Sequence, residues 1–295
     1  MNIGLRQLNV FMRVAQEKTI TAAAEKLFLS KPAVSMALSE LENQLGQQLF
    51  DRQNNRLVIN EFGLKLQPLA DELLARSEQI SGLFSQGNQL TGSLKIGASD
   101  TIGTQVIPYL LRDFRDKTLH KQQSLLISNT ADICQRIAKF ELDIALVEGK
   151  VESNHLVSIA WLSDEMCLIC SSDHPLSQVA KPTFAQLESQ YWLLREQGSG
   201  TRSYFSKHIA PQLNSWKLSL ELNNTEAIIN CVSAGLGIAC ISKLAVTHAF
   251  KNSGLIMLTL PVNYQRQYWL VYHKEKCQLN LMANFVDFCK NWRVQ

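Results

Sequence analysis

The chain has 295 residues and a mass of 33.2 kDa; 46% of its residues are hydrophobic, 19% are charged, and the formal net charge is +3. This length fits about two or three domains with buried cores, and the composition excludes disordered, collagen-like and low-complexity proteins. The N-terminus lacks the charged and apolar regions of a signal peptide, and no apolar run is long enough to span a membrane, so we expect a cytoplasmic protein. Its seven cysteines are odd in number and scattered, which argues against a complete disulfide framework.

The first 28 residues predict two short helices. Apolar residues recur at helical spacing from Leu5 to Ala15, and the pattern stops soon afterwards. Thr19 and Thr21 can cap a second helix over residues 22–28. The alanines of that helix permit a close approach by a neighbouring helix.

A third helix follows after a short break. Ser30 is a good N-cap. Pro32 is tolerated in the first turn because the N–H group that proline lacks would have no acceptor within the helix there. Gly46 ends the helix. Its apolar face consists of Val34, Leu38, Leu41 and Leu45. Two helices joined by a tight turn, the first short and the second capped and amphipathic, predict a helix-turn-helix.

The next segments predict a wing and a long helix. Residues 49–52 and 56–59 form two short strands around an asparagine-rich turn, which gives a two-stranded ribbon after the recognition helix. Asn60 can cap a helix from 61 to about 85, whose apolar residues repeat at spacings of four and three. A helix of about 25 residues spans about 38 Å, which is too long for a small domain to cover, so we expect it to pair with its counterpart in a homodimer. Residues 86–89 then predict a hinge.

Beyond the hinge, short β-rich runs alternate with helical stretches. The candidate strands are residues 93–97, 124–127, 142–147, 166–170, 191–194, 218–222, 237–241 and 267–272. A final helix covers residues 279–292. This alternation predicts an α/β fold with open, mainly parallel sheets.

Several short motifs occur together in the N-terminal segment. They are Leu5-Arg6-Gln7-Leu8 with Phe11, the run from Thr21 to Ala24, Ser30-x-Pro32-Ala33-Val34-Ser35, Leu41-Glu42, Leu45-Gly46 and Leu49-Phe50-x-Arg52. By these motifs the chain resembles LysR-type transcriptional regulators over essentially its whole length. Within that family it resembles the branch that contains regulators of sulfur assimilation and carbon fixation.

The resemblance implies a domain organisation. An N-terminal winged helix-turn-helix would bind DNA, a long linker helix would dimerise, and two α/β subdomains like those of periplasmic binding proteins would bind an effector. The DNA-binding domain, the linker with its hinge and the effector-binding domain would take residues 1–60, 61–90 and 91–295. Subdomain 1 would take about 91–163 plus 267–295, and subdomain 2 about 164–266.

The resemblance also implies partners. They are double-stranded promoter DNA, a small-molecule effector, a second copy held through the linker helix, and further copies in a homotetramer, with RNA polymerase as an additional candidate. Because the implied function is regulation by binding, we expect no enzymatic activity, no catalytic residue, no metal and no cofactor.

The polar face of the third helix carries candidate DNA-binding residues. They are Lys31, Pro32, Ala33, Ser35, Met36 and Ser39. Ser35 and Ser39 can bond base edges in the major groove, and Met36 can touch thymine methyl groups. Lys31 can reach a phosphate. Many relatives have glutamine and arginine at some of these positions, so more of the specificity here must come from hydroxyls, methyl contacts and DNA shape. The alternative is that both serines are merely solvated.

Two arginines flank the turn of the wing. Arg52 and Arg56 stand where a guanidinium meets phosphate or a narrow minor groove. Arg52 can instead form a structural ion pair with Asp51 or Glu61. Both interpretations of Arg52 stay open at this point.

Two segments are candidates for an effector cleft, because ligands of α/β sheets lie beyond the carboxyl ends of strands, near helix N-termini. Residues 98–103 follow the first strand of one subdomain, and residues 195–202 follow a strand of the other. The candidate effector-binding residues are Ser99, Asp100, Thr101, Asn129, Glu148, Ser199, Gly200, Thr201, Arg202 and Thr225. Hydroxyls, glycines and an arginine favour a small anion or carboxylate. Asp100 would repel a dianion unless it is neutralised, and can instead select a ligand with an amino group.

Other interpretations compete with this one. The hydroxyls can serve as ordinary N-caps, and Gly198 and Gly200 can form a plain turn. Cys167 and Cys170 have the spacing of a zinc or redox pair, but residues three apart on a strand point to opposite faces, so we expect structural cysteines. A solute-binding protein or cleft enzyme is the alternative function. The missing export signal and the first 60 residues favour the regulator.

Overall fold

The computed structural model of the chain describes most of its residues. The described ranges are 3–54, 56–83, 90–149, 151, 153–179, 181–247, 254–259 and 264–293. The hinge expected at residues 86–89 lies outside these ranges. Among the described residues, no helix combines the length and the apolarity that are needed to cross a membrane.

The N-terminal domain begins with α1 (Leu5–Glu17), α2 (Ile20–Leu27) and α3 (Lys31–Leu45). The Thr19 hydroxyl accepts the N–H of Ala22, and the Ser30 hydroxyl accepts the N–H of Ala33. Both helices therefore start at capping residues. Gly46 ends α3 with φ +68°, a backbone conformation that glycine adopts without strain.

The turn between α2 and α3 contains a residue in the left-handed conformation. Phe28 ends α2 at φ +55°, and its N–H bonds to the carbonyl oxygens of Ala24 and Glu25. Its side chain is 96% exposed. Glycine is the usual residue at such a position, because a Cβ atom disfavours positive φ. Phe28 therefore closes the helix while adding little to the core.

A two-stranded wing follows and leads into the linker helix. The wing strands β1 (Phe50–Gln53) and β2 (Arg56–Ile59) pair in antiparallel orientation. The helix α4 (Glu61–Leu83) starts after Asn60, whose side-chain oxygen accepts the N–H of Gly63 at 3.0 Å. Exposed apolar side chains on α4, which we call the linker stripe, are Phe62, Leu64, Leu69, Leu73 and Ile80.

The rest of the chain forms two α/β lobes. Their strands are β3 (Leu94–Ser99), β4 (Gln123–Ser128), β5 (Ile144–Glu148), β6 (Leu156–Ser171), β7 (Tyr191–Arg195), β8 (Lys217–Leu222), β9 (Ala239–Ser242), β10 (Leu255–Leu258) and β11 (Tyr264–His273). Their helices are α5 (Asp100–Gln105), α6 (Ile107–Thr118), α7 (Thr130–Ala138), α8 (Phe184–Glu188), α9 (Gly200–Tyr204), α10 (Thr225–Ser233), α11 (Lys243–Thr247) and α12 (Asn280–Asn291).

Two long strands connect the lobes. In the described part of the chain, seven strands form one sheet in the order β10-β6-β11-β5-β3-β4, with β9 also on β6, and β7 pairs separately with β8. The first lobe contains β3, β4 and β5 with α5, α6, α7 and α12, and the second contains β7 to β10 with α8 to α11. The strands β6 and β11 run through both. The expected boundaries at 163/164 and 266/267 fall inside these strands, at the pairing of Asp164 with Arg266.

The expectation of mainly parallel sheets was wrong. β3 pairs in parallel with β4 and β5, and β7 with β8, but β6 and β11 form only antiparallel pairs in the described sheet. The physical reason is the connection between the lobes: the two strands cross in opposite directions and pair with each other along most of their length. The sequence pattern also missed β10 and the first ten residues of β6.

Each lobe has its own core. Ile96, Phe114 and Phe285 are fully buried in the first lobe, and Trp192 and Phe205 in the second. These cores fix the ends of β3, β5 and β7, where the candidate effector residues stand.

Candidate functional site

The exposed face of α3 contains the candidate DNA-binding residues. Lys31, Pro32, Ser35, Met36 and Ser39 are exposed, and Ala33 is half-buried. The opposite face is anchored, because Val34 and Leu41 are fully buried and Leu38 is 6% exposed. This anchoring leaves a face of short side chains that a major groove can approach closely.

A groove runs between this face and the wing. It has a volume of about 1140 Å³, and its lining includes Ser35, Ser39, Arg52, Asn54 and Arg56. Glu61 binds Lys65, and among the described residues Arg52 makes no ion pair with Asp51 or Glu61. The guanidinium of Arg52 is therefore available to a partner. The wing and the recognition helix thus present one continuous surface.

In the effector region, the structure brings Asp100 of the first lobe onto the second lobe. Asp100 is the first residue of α5, and one of its carboxylate oxygens, Oδ2, lies 2.9 Å from Nη1 of Arg195. The same oxygen accepts the backbone N–H of Thr225 at 3.2 Å and the Thr225 hydroxyl at 2.5 Å. Arg195 ends β7 and Thr225 starts α10, so the two lobes meet at this carboxylate.

Arg195 is held from its other side by Glu196. The carboxylate of Glu196 accepts hydrogen bonds from Nε at 2.8 Å and from Nη2 at 3.1 Å. Burial raises the pKa of Glu196, but the Arg195 guanidinium outweighs burial, and the pKa lies below its usual value. Asn129 of the first lobe caps α7 and donates to Glu196 at 3.2 Å. Asn129 therefore serves as a cap and as a contact between lobes.

A second group of contacts, within the first lobe and between the lobes, surrounds Glu148 at the end of β5. Its Oε1 accepts the N–H of Thr101 at 3.1 Å, and its Oε2 accepts the Thr201 hydroxyl at 3.3 Å. Arg266 donates to Glu148 at 3.0 Å and binds Asp164 through its other amino nitrogen. Burial alone lowers the pKa of Arg266, but Glu148 and Asp164 keep it above its usual value.

Two hydroxyls in this region are buried without a partner. Ser99 and Thr101 are each 1% exposed, and within the described chain neither hydroxyl oxygen has a hydrogen-bond partner. Ser99 occupies the N-cap position of α5, but its side chain makes no capping bond there. Ordinary N-capping therefore does not account for the Ser99 hydroxyl, and both buried hydroxyls leave hydrogen-bonding capacity unused.

Gly200 allows the lobes to approach each other. A Cβ atom at this position would lie 2.6 Å from both the carbonyl oxygen and the Cβ of Glu148. Beside it, Ser199 is 2% exposed and Gly198, at φ +89°, accepts the N–H of Ala131 of the first lobe at 3.1 Å. The glycines therefore belong to a turn that also contacts the opposite lobe.

The placement of Arg202 differs from the expectation. Its Nη1 donates to the carbonyl oxygen of Arg195 at 3.3 Å and lies 3.7 Å from Glu221, and its guanidinium lies over the ring of Trp216. Arg202 thus packs within the second lobe, and Arg195 is the arginine that meets the first lobe.

The sequence pattern did not single out Arg195, Arg266 or Asp164. Their only local signal is a charge at the end of, or inside, an apolar strand.

A cavity of about 440 Å³ opens beside Glu148. Thr130, Gly198, Tyr204, Lys207 and Arg266 are part of its lining. Its volume is in the range of small-molecule sites. The cavity lies between elements of both lobes, so a molecule bound there would touch both.

The cysteine pair is divided between two cores. Cys170 packs with Trp192 and Cys167 packs with Ile228, on opposite faces of β6. Burial raises the pKa of Cys170 to about 11, so this thiol is protonated at neutral pH. In the described residues, no three histidine, cysteine or acidic side chains form a group that could hold a metal ion.

A winged helix-turn-helix joined to a two-lobed binding domain defines a transcriptional regulator with an effector-binding domain. Family comparison agrees: the bacterial regulatory helix-turn-helix protein, lysR family, matches residues 5–64, and the LysR substrate binding domain matches residues 87–293. The chain belongs to the LysR family of transcriptional regulators, and it is not an enzyme.

Named relatives agree with this assignment. The chain is 37% identical to the uncharacterized HTH-type transcriptional regulator YeiE of Escherichia coli (strain K12), over 98% of each chain. It is 33% identical to a probable RuBisCO transcriptional regulator of Cyanidioschyzon merolae, over 82% of each chain. The identity to the HTH-type transcriptional regulator CysL of Bacillus subtilis is 29%, over 80% of this chain and 79% of CysL.

Solved structures share the fold. A full-length OxyR variant of Pseudomonas aeruginosa matches with a TM-score of 0.74 and 21% identity, over 99% of this chain and 96% of that chain. CbnR complexed with its target DNA matches with a TM-score of 0.61 and 17% identity, over 97% of this chain and 98% of that chain. The regulatory domain of Synechocystis CcmR in complex with 2-PG matches with a TM-score of 0.63 and 25% identity, over 68% and 98%.

Proposed function

We propose that this regulator binds promoter DNA in a sequence-specific manner, in the cytoplasm, and responds to a small anion or carboxylate bound between its lobes. The continuous surface formed by α3 and the wing supports the DNA-binding part. It combines exposed serines, a lysine and two arginines over a buried apolar face. CbnR, a structural neighbour, is complexed with DNA.

The proposed effector class is supported by the carboxylate groups of the chain itself that are bound where the lobes meet. Arg195 and Thr225 hold one carboxylate of the chain itself, and Thr101 and Thr201 hold another. Guanidinium groups, hydroxyls and free backbone N–H groups are the donors that carboxylates and oxyanions need. This arrangement of donors is the observation that carries the proposal. The complex of CcmR with 2-PG is consistent with it.

We propose the domain organisation that the resemblance implies, with DNA binding in residues 1–60, dimerisation through 61–90 and effector binding in 91–295. The linker stripe supports a homodimer, since Phe62, Leu69, Leu73 and Ile80 are 46% to 59% exposed on one chain. A homotetramer is the assembly that we expect in solution, and RNA polymerase is a further candidate partner. Analytical ultracentrifugation distinguishes a dimer from a tetramer.

The proposal is tested by fluorescence anisotropy with a labelled duplex from the region upstream of the regulator's own gene. A scrambled duplex of equal length is the control for specificity. We expect tighter binding to the upstream duplex, and a change in affinity when one member of a panel of small carboxylates and oxyanions is added. Equal affinity for both duplexes under all conditions would contradict the proposal.

A further inference from the structure

The second lobe binds the carboxylate of Asp100, a residue of the first lobe, as it would bind a ligand. Its Oδ2 receives three donors from that lobe, the Nη1 of Arg195, the backbone N–H of Thr225 and the Thr225 hydroxyl. Arg195 is 2% exposed and Thr225 is 6% exposed, so these donors have little access to water. We call the three donors the anion cradle.

The anion cradle has the chemistry of a general oxyanion site. It combines a guanidinium with the first backbone N–H of the nine-residue helix α10 and with a hydroxyl. Glu196 fixes the guanidinium from inside the second lobe through two hydrogen bonds of 2.8 and 3.1 Å. The cradle is therefore pre-arranged, and the carboxylate that fills it comes from the opposite lobe.

The neighbours of Asp100 provide a second, independent observation. Ser99 and Thr101 are each 1% exposed, and in the described chain their hydroxyl oxygens have no hydrogen-bond partner. The residues on either side of Asp100 therefore carry buried hydrogen-bonding groups that its carboxylate does not use. A phosphate or sulfate oxyanion, or a larger carboxylate, offers more acceptor atoms than the single oxygen of Asp100.

We propose that Asp100 is an internal competitor that occupies the anion cradle until an effector anion displaces it. This inference rests on the proposed effector class. A tethered carboxylate has an effective concentration on the order of millimolar or above, so a free anion must exceed that threshold to bind. The negative charge of Asp100 also opposes a second anion nearby. Asp100 thus sets the concentration at which the regulator responds.

The test removes the internal carboxylate and supplies a free one. In Asp100→Ala, formate or acetate can enter the emptied cradle, whereas chloride at equal ionic strength lacks the shape of a carboxylate. We expect the full-length variant to melt several degrees below the wild type in chloride, and to regain most of that loss in formate or acetate with a saturable dependence. The wild type should shift far less at the same concentrations.

Two further variants make the result specific. Asp132→Ala removes the same residue type from a solvent-exposed pair with Arg136, and should show no extra response to formate. In Asp100→Ala combined with Arg195→Gln, the recovery should disappear because the cradle has lost its guanidinium. A recovery of Asp100→Ala no larger than that of Asp132→Ala overturns the proposal.

A second measurement covers the case in which Asp100→Ala does not fold. Asp100→Asn keeps the size of the side chain and removes its charge, and we expect its midpoint for formate to be at least about tenfold lower than that of the wild type. Equal midpoints overturn the proposal. Because melting requires no DNA, a negative result here leaves the DNA-binding proposal standing, and a failure of DNA binding leaves the melting result unaffected.

Discussion

Lys276 binds Asp71 across the junction between the linker helix and the first lobe, with Nζ 2.8 Å from Oδ2. The same ammonium lies 2.7 Å from Asp143, so one buried cation holds a carboxylate of α4 and a carboxylate of the effector-binding region. Burial lowers the pKa of Lys276, but Asp143 and Asp71 outweigh it, and the pKa lies above the ordinary value of 10.5.

We predict that Lys276→Met destabilises the protein by about 3–5 kcal/mol, because two largely buried carboxylates lose their cation. Urea unfolding at pH 7 measures the loss. The exposed Lys274 provides a control, and Lys274→Met should be nearly neutral. Because the folded pKa of Lys276 is raised, its contribution to stability is complete below pH 10.5 and is lost as the pH rises through the folded pKa. A constant difference between wild type and variant up to pH 12 would contradict this assignment.

Gly200→Ala should push the lobes apart. The new Cβ would lie 2.6 Å from the carbonyl oxygen of Glu148, so the turn or β5 must move, at a cost of about 1–3 kcal/mol. Thermal melting and hydrogen exchange at Ala131, whose N–H bonds to this turn across the lobes at 3.1 Å, report the change. Gly4→Ala is the matched control, because its Cβ would meet only the flexible end of Gln7 at 3.7 Å. Unchanged exchange at Ala131 in Gly200→Ala would argue against lobe contact at this turn.

On the DNA side, Lys31→Ala and Arg56→Ala should weaken binding to all duplexes. Each should also reduce the slope of log affinity against log salt by about 1, because we propose that each side chain contacts one phosphate. Ser35→Ala should instead relax discrimination at one base pair by about 1–3 kcal/mol. Anisotropy titrations at several salt concentrations separate these effects. Lys117→Ala, an exposed change on α6, should leave the slope unchanged. Identical slopes for all variants would remove the assignment of phosphate contacts.

Phe28→Gly should stabilise the protein by about 0.5–1 kcal/mol, because glycine adopts the φ of +55° without strain and a 96% exposed ring loses no packing. Phe28→Ala keeps the Cβ atom and should give no gain. Leu119→Gly offers a parallel case, since Leu119 ends α6 at φ +59° and is 63% exposed. Chemical denaturation measures these variants. Equal stabilities for the glycine and alanine variants would show that the left-handed backbone is not strained here.

Substitution within the linker stripe should dissociate the proposed homodimer. Leu73→Glu places a charge among side chains that we expect to pack against a second copy, and should weaken association at least about tenfold in analytical ultracentrifugation. Leu218→Glu changes an exposed leucine on β8 and serves as the control. Unaltered association in Leu73→Glu would place the dimer contact elsewhere.

Local features of this fold follow from the sequence, and the long-range pairings do not. Helix starts could be predicted at Thr19, Ser30 and Asn60, because capping depends on residues within one turn. The contact of Arg195 with Asp100 joins residues 95 positions apart, and no local pattern encodes it. The direction of β6 and β11 is also undetermined locally, because alternating apolar residues look the same in parallel and antiparallel strands.

The residues of the candidate effector site also fall into those that the sequence could predict and those that it could not. The end of each strand could be located, so Ser99, Glu148 and Thr201 could be named from the sequence. The sequence could not show which arginine faces the opposite lobe. The segment between Arg195 and Arg202 contains a turn, and the close approach of Gly200 to β5 sets the direction of that turn.

The ladder between β6 and β11 limits how the lobes can move. Both strands belong to both lobes, so a change in the angle between the lobes must twist paired strands, and it cannot separate them. The register shift between Gln267 and Trp269 marks the place where this ladder bends most easily. The angle between the lobes can therefore change only by a small rotation about these paired strands.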